Sequence, residues 1–119
     1  MFDVLLIDGD PERRELVAHH LTDLPGVNLV QAAPEIASVR LVQETPPRVV
    51  LIGIDEPDVW FLPLLKDALN GVPLLGYSSD WQPATEWSFL QTGGRRLSGD
   101  VGSRSTFLTA ILEAARTAA

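Results

Sequence analysis

A three-layer α/β sandwich on a parallel sheet is predicted by three features of this sequence. Short apolar runs alternate strictly with stretches of helical period, the strongest runs are apolar without interruption, and turn-forming Gly and Pro residues punctuate almost every junction. Unbroken apolar runs mark strands buried on both faces, the signature of a parallel sheet covered by helices on either side. Strict alternation brings right-handed crossovers with it. Five strands and five helices of this size fit the order 2-1-3-4-5, a common arrangement for doubly wound domains.

The elements follow in chain order. Val4, Leu5, Leu6 and Ile7 form the first strand, which runs into Asp8-Gly9-Asp10-Pro11. Pro11 suits the first position of a helix, Asp10 can cap it, and Glu12 complements its positive end. Leu16, Val17, Leu21 and Leu24 are its expected inward face, and Pro25-Gly26 ends it. A weaker strand is expected over 27–30. A helix from about Pro34 follows, with Ile36, Val39 and Val42 spaced by three, closed by Pro46-Pro47. The strongest strand covers 49–54. Phe61, Leu64, Leu65, Ala68 and Leu69 then make one helical stripe, and Pro63 must lie in that helix's first turn. A fourth strand spans 72–77, a poorly formed helix 83–91, and a short fifth strand lies near Arg96, Leu97 and Ser98. Phe107, Leu108, Ile111, Leu112 and Ala115 give the last helix its face.

At 119 residues the whole chain, 1–119, reads as one domain. The helical pattern over 106–119 has no Gly or Pro terminator, so a domain cut from a longer protein is expected. The composition, 45% hydrophobic and 21% charged, is that of a folded globular chain. A formal net charge of −7 with scattered basic residues argues against direct DNA binding. No apolar run is long enough to span a membrane, the N-terminus carries no basic leader, and there is no cysteine for a disulfide or thiolate site. A cytoplasmic domain is expected.

Ligands of such folds bind beyond the carboxyl ends of the strands, which directs attention to 8–10, 53–57, 78–80 and 98–100. A nucleotide or flavin phosphate is a poor fit there. The turn after the first strand carries three carboxylates, and Pro11 removes an amide that a phosphate cradle would need. Neither a G-x-G-x-x-G nor a G-x-x-x-x-G-K-[ST] string occurs.

VLLIDGDPERR, PPRVVLIGIDEP and VPLLGYSS, with the stretch 93–101, resemble the first, third, fourth and fifth strands of response-regulator receiver domains. The likeness covers nearly the whole chain and implies a flavodoxin/receiver-like sandwich. A phosphorylatable receiver brings together a carboxylate nucleophile, acids that hold a divalent cation, a hydroxyl and a lysine. Carried over position by position, Asp8 matches the first metal-binding acid, but Gly9 stands where the second is expected and Asp10 follows one place on. Ser78 matches the hydroxyl. Gly53 occupies the acceptor position, with Pro57 four residues later, and Asp100 occupies the lysine position. Glycine has no atom to attack phosphorus. A carboxylate at 100 would repel a phosphoryl group by several kcal/mol at about 4 Å and an effective dielectric of 20. The resemblance therefore implies a degenerate receiver, neither phosphorylated nor enzymatic.

Several readings stay open beside this one. Asp55, two residues beyond Gly53, is an alternative acceptor, although Pro57 would then follow too closely. Asp8, Asp10 and Asp100 could hold a divalent cation; the competing reading has Asp10 capping the first helix and the other two as solvated relics. His19 and His20 read as surface or boundary residues, and Arg95 and Arg96 as a solvated edge. Trp81 and Trp87, with Trp60, lie outside the main core stripes and suit either a partner surface or packing under loops.

VLLID together with VVLIGIDEP, and more loosely PLLGYSSDW, is similar to the N-terminal domain of flagellar master regulators, sigma-54-dependent activators of the NtrC type. That resemblance implies a regulatory and dimerising domain preceding an ATPase domain. ATP and cyclic di-GMP would belong to that downstream domain, and no cofactor is expected in this one. The implied partners are a second copy of the chain, its own ATPase domain or a regulatory protein. A stand-alone docking adaptor in two-component signalling is the alternative.

Overall fold

The computed structural model describes residues 2–22, 24–97 and 103–117. The elements run β1 (Phe2–Asp8), α1 (Pro11–Leu21), β2 (Val27–Ala32), α2 (Ile36–Glu44), β3 (Val49–Gly53), a 3-10 turn (Glu56–Asp58), α3 (Phe61–Leu69), β4 (Leu74–Tyr77), α4 (Pro83–Leu90), β5 (Arg95–Arg96) and α5 (Arg104–Thr117). Among the described residues all strand pairings are parallel, as the alternation predicts, and the sheet order is β2-β1-β3-β4-β5, the arrangement expected from the flavodoxin-like pattern.

Period-two alternation divides the buried strands between two cores. Val4, Leu6, Val49, Leu51 and Leu75 pack beneath α1 and α5, against Val17, Leu21, Phe107 and Ile111. Leu5, Ile7, Val50, Ile52 and Leu74 face α2, α3 and α4, against Val42, Phe61, Leu65 and Phe89. α3 begins at Phe61, so Pro63 lies in its first turn as expected. It ends on Asn70 in the left-handed conformation, followed by Gly71 at positive φ.

The helices turn differently from the hydrophobic pattern at four positions. Leu16, Ile36, Leu64 and Leu112 are exposed. In their places stand Arg13, Ser38, Leu62 and the pair Ala110 and Ala114, all buried. The inward stripe of α5 is Phe107, Ala110, Ile111, Ala114 and Ala115, in which small residues let the helix lie close to the sheet. In α1 the stripe begins with a charged residue, Arg13, which a hydrophobicity reading assigns to solvent. β4 starts at Leu74 rather than Val72, and β5 is confined to Arg95 and Arg96. Ser98, expected in that strand, lies outside the described residues.

Candidate functional site

Three positions form one row across the carboxyl end of the sheet. Asp8 closes β1, Gly53 closes β3 and Tyr77 closes β4; the ladder pairs Asp8 with Gly53 and Gly53 with Tyr77. Alternation along each strand puts all three on the side of α1 and α5. Adjacent strands lie about 4.8 Å apart, so the outer members of the row are separated by about 10 Å. A tyrosine can reach across that gap if nothing stands between. Tyr77 Oη donates to Asp8 Oδ2 at 2.7 Å, directly over Gly53. A Cβ at residue 53 would overlap Asp8 Oδ2 and lie 2.8 Å from Tyr77 Cε2. The space that an acceptor side chain would enter is already filled.

Arg13 completes the cluster from the first turn of α1. Its Nε donates to Asp8 Oδ2 at 2.8 Å and its Nη2 to Asp8 Oδ1 at 2.8 Å. The same guanidinium forks onto Asp55, from Nη1 to Oδ1 at 3.0 Å and from Nη2 to Oδ2 at 3.1 Å. Its Cζ lies 5.5 Å from the Tyr77 ring centroid. The Asp10 amide gives Asp8 Oδ1 a further bond at 2.9 Å. Each Asp8 oxygen therefore accepts two hydrogen bonds, which is its capacity. Asp8 is 0% exposed and the Arg13 side chain 7% exposed, whereas the Asp55 side chain is 44% exposed.

Burial alone would lower the pKa of Arg13, but the hydrogen bonds and charges of Asp8 and Asp55 outweigh it and hold the pKa above its ordinary value. Burial, then the Asp8 charge and hydrogen bond, push the Tyr77 phenol well above the usual range, so its proton stays on Oη. Asp58, in the 3-10 turn, is raised by burial first and then by Asp55 and Asp8. One guanidinium balances two carboxylates here, and the third feels the remaining negative charge.

The remaining expected residues fall out as follows. Asp10 turns its carboxylate onto its own helix, where Oδ1 accepts from the amides of Glu12 at 3.0 Å and Arg13 at 3.3 Å. The expectation of Asp8 as a solvated relic is corrected: it is fully buried, because Arg13 and Tyr77 supply the partners that burial requires. Gly9 is exposed, with room for a Cβ 3.4 Å from Asp58 Oδ2. Ser78 closes a local turn with Asp80, and Asp100 lies outside the described residues. Asp55 has both oxygens on Arg13. A divalent cation, which the receiver resemblance implies, does not fit this arrangement, because Asp8 has no free lone pair and the guanidinium fills the space between the two carboxylates.

Trp81 is half-buried, 5.4 Å from Phe89 and under the Arg96 guanidinium at 5.9 Å. Trp87 is 65% exposed and borders an apolar groove with Leu62, Pro63 and Thr92. Trp60 is exposed beside Phe61. Arg95 and Arg96 are exposed and pair with Glu113 and Glu86. His19 is exposed; His20 is partly buried, stacks on Phe107 at 5.9 Å, and its Nε2 has no hydrogen-bond partner among the described residues. Sequence reasoning missed Arg13 and Tyr77. The available signal was a charged residue four before Val17 and eight before Leu21, on the stripe those two define.

No protein-family model and no curated protein matches the sequence. Solved structures do match the fold. The signal receiver domain assigned to the response regulator NarL of Mycobacterium tuberculosis is 24% identical, with a TM-score of 0.76 over 98% of this chain and 97% of that one. Chemotaxis protein CheY4 of Vibrio cholerae is 18% identical, with a TM-score of 0.77 over 96% and 98%. The receiver domain of a modulated diguanylate cyclase from Desulfovibrio desulfuricans is 17% identical, with a TM-score of 0.78 over 98% and 94%. The chain has the fold of a receiver domain.

Proposed function

We propose that this chain is a receiver-like regulatory domain that takes no phosphoryl group and acts through protein contacts. The observation that carries the reading is the row Asp8–Gly53–Tyr77, in which a hydrogen bond crosses the position where an acceptor carboxylate would stand. Gly53 removes the nucleophile, the side chains of Asp8 and Tyr77 occupy the vacated volume, and Arg13 holds Asp8 there. Asp55 is a poor substitute acceptor, since both its oxygens already pair with the Arg13 guanidinium, which lowers their nucleophilicity, and it lies beyond the end of β3 instead of in the row over the sheet. Within this reading, the strings VLLID and VVLIGIDEP favour the N-terminal domain of a sigma-54-dependent flagellar regulator, pairing with a second copy ahead of an ATPase domain. The exposed Trp87 and the groove beside it suit such a contact on the α4 side.

Incubation with acetyl phosphate and Mg²⁺, followed by intact mass analysis, tests the reading. The mass should remain that of the unmodified chain. An adduct of one phosphoryl group mapping to Asp55, or to any other aspartate, would refute it. Sedimentation at high micromolar concentration tests the pairing, with a dimer expected for the parent chain and monomer for Trp87→Ala.

A further inference from the structure

We propose that the Arg13 guanidinium is the resident cation of this rim, permanently tying the β1–α1 turn to the loop after β3. The inference stands on the rim geometry and not on the regulatory reading. The divalent ion implied by the receiver resemblance would sit among acids at the carboxyl ends of β1 and β3, and those acids here are Asp8 and Asp55. Both turn both oxygens to one guanidinium, at 2.8 to 3.1 Å.

An ordinary surface ion pair has neither this enclosure nor this geometry. Arg13 reaches the rim from the buried stripe it shares with Val17 and Leu21 and is itself almost wholly enclosed. Its planar fork engages two carboxylates from separate segments at once, which a lysine, with a single compact ammonium, could not reproduce. Mg²⁺ demands near-octahedral oxygen ligands at about 2.0–2.1 Å. To obtain one from Asp8 it would have to break a bond from Tyr77, the Asp10 amide or Arg13, and the guanidinium would then lie unpaired or directly beside a dication. The loop over 54–58 is thus held in one arrangement whether or not Mg²⁺ is present. Asp58, in the same loop, feels the negative charge of Asp8 and Asp55 that Arg13 leaves unbalanced.

Two measurements test this. In the unaltered chain, the Arg13 Nε–H resonance should be visible in slow exchange with water and keep its position when about 10 mM MgCl₂ is added. Loss or displacement of that signal on adding Mg²⁺ would show that the ion takes the seat, and would overturn the proposal. In Arg13→Gln, which empties the space between the carboxylates, Tm should fall and Mg²⁺ should recover part of the loss, while the Tm of the parent chain does not respond. Equal Tm for parent and variant would also overturn it, as would equal Mg²⁺ responses. Arg13→Lys, which keeps the charge and loses the fork, should fall between the two; Lys behaving as Arg would show that charge alone suffices and that the double fork is not the device. If Arg13→Gln does not fold, the resonance of the parent chain decides alone. A phosphoryl adduct bears on the regulatory reading, not on this one.

Discussion

The carboxyl rim around Asp8 and the α4 side of the same sheet are held in opposite ways. At the rim, a network of charge-assisted hydrogen bonds joins β1, α1, β4 and the loop after β3, and its central acid is fully enclosed. On the α4 side, a helix of eight residues is anchored chiefly by Phe89, whose ring lies on Gly76 and Gly94, where a Cβ would overlap it. Thr85 is the other buried residue of α4, and Trp87 and Leu90 point to solvent. The rim has directional, multiply satisfied bonds, which fix a single geometry. The α4 side has one apolar anchor and exposed apolar surface, the combination expected of a surface that meets another protein. In the proposed reading, the rim is the closed end of the fold and the α4 side the one left open for contact.

Substitutions can break or sharpen this contrast. The largest effect is expected for Gly53→Asp, which restores the carboxylate by type but drives it into Asp8 and Tyr77. Overpacking together with a second buried negative charge should cost on the order of 5 kcal/mol, much of the stability of a domain this size, as read by urea denaturation. Arg13→Met should cost about 3–5 kcal/mol in the same assay, because it strands the buried Asp8 charge. On the other side, Phe89→Ala should cost about 3 kcal/mol. It should release α4 selectively, with hydrogen-exchange protection lost over 83–90 before the rim is affected. Tyr77→Phe removes one bond to a buried carboxylate and should cost about 1.5–3 kcal/mol.

The smallest effect concerns Asp58 and pH. Its carboxyl is harder to ionise in the folded chain than in the unfolded one, so the ionised form costs stability above the raised folded pKa. That cost fades as pH falls through the raised value and is gone below the ordinary 3.8. Asp58→Asn should accordingly give a small rise in Tm near neutral pH and none in acid below that value. A gain that persisted in acid would place the effect in packing rather than charge.

Nearly every element was legible in the sequence, because uninterrupted strands such as 49–53 and punctuation such as Pro25-Gly26 are local signals; the sheet order came from the known arrangement of such folds and not from the residues. Helix rotation was less legible. Leucine outweighs alanine in any hydrophobic count, so the pattern assigns Leu112 to the inward face, whereas the sheet accepts the smaller Ala114 at close range. At the site, the glycine at 53 and the acid at 8 could be read directly. The partners of Asp8 could not, because they come from a helix five residues on and a strand sixty-nine residues on. Tyr77 reads as one more apolar strand residue until the register places it across Gly53 from Asp8. Arg13 reads as solvated until the rotation of α1 turns it inward.

The account depends on the space over Gly53 being closed to a phosphoryl group, and an amide NMR spectrum recorded with beryllofluoride and Mg²⁺ tests that most directly. Spectra with and without the mimic should superimpose over 8–13, 53–58 and 77–80. Saturable shifts at Gly53, Asp55 and Ser78 would contradict the account, since they would mean that the Asp8–Tyr77 bond opens to admit the group.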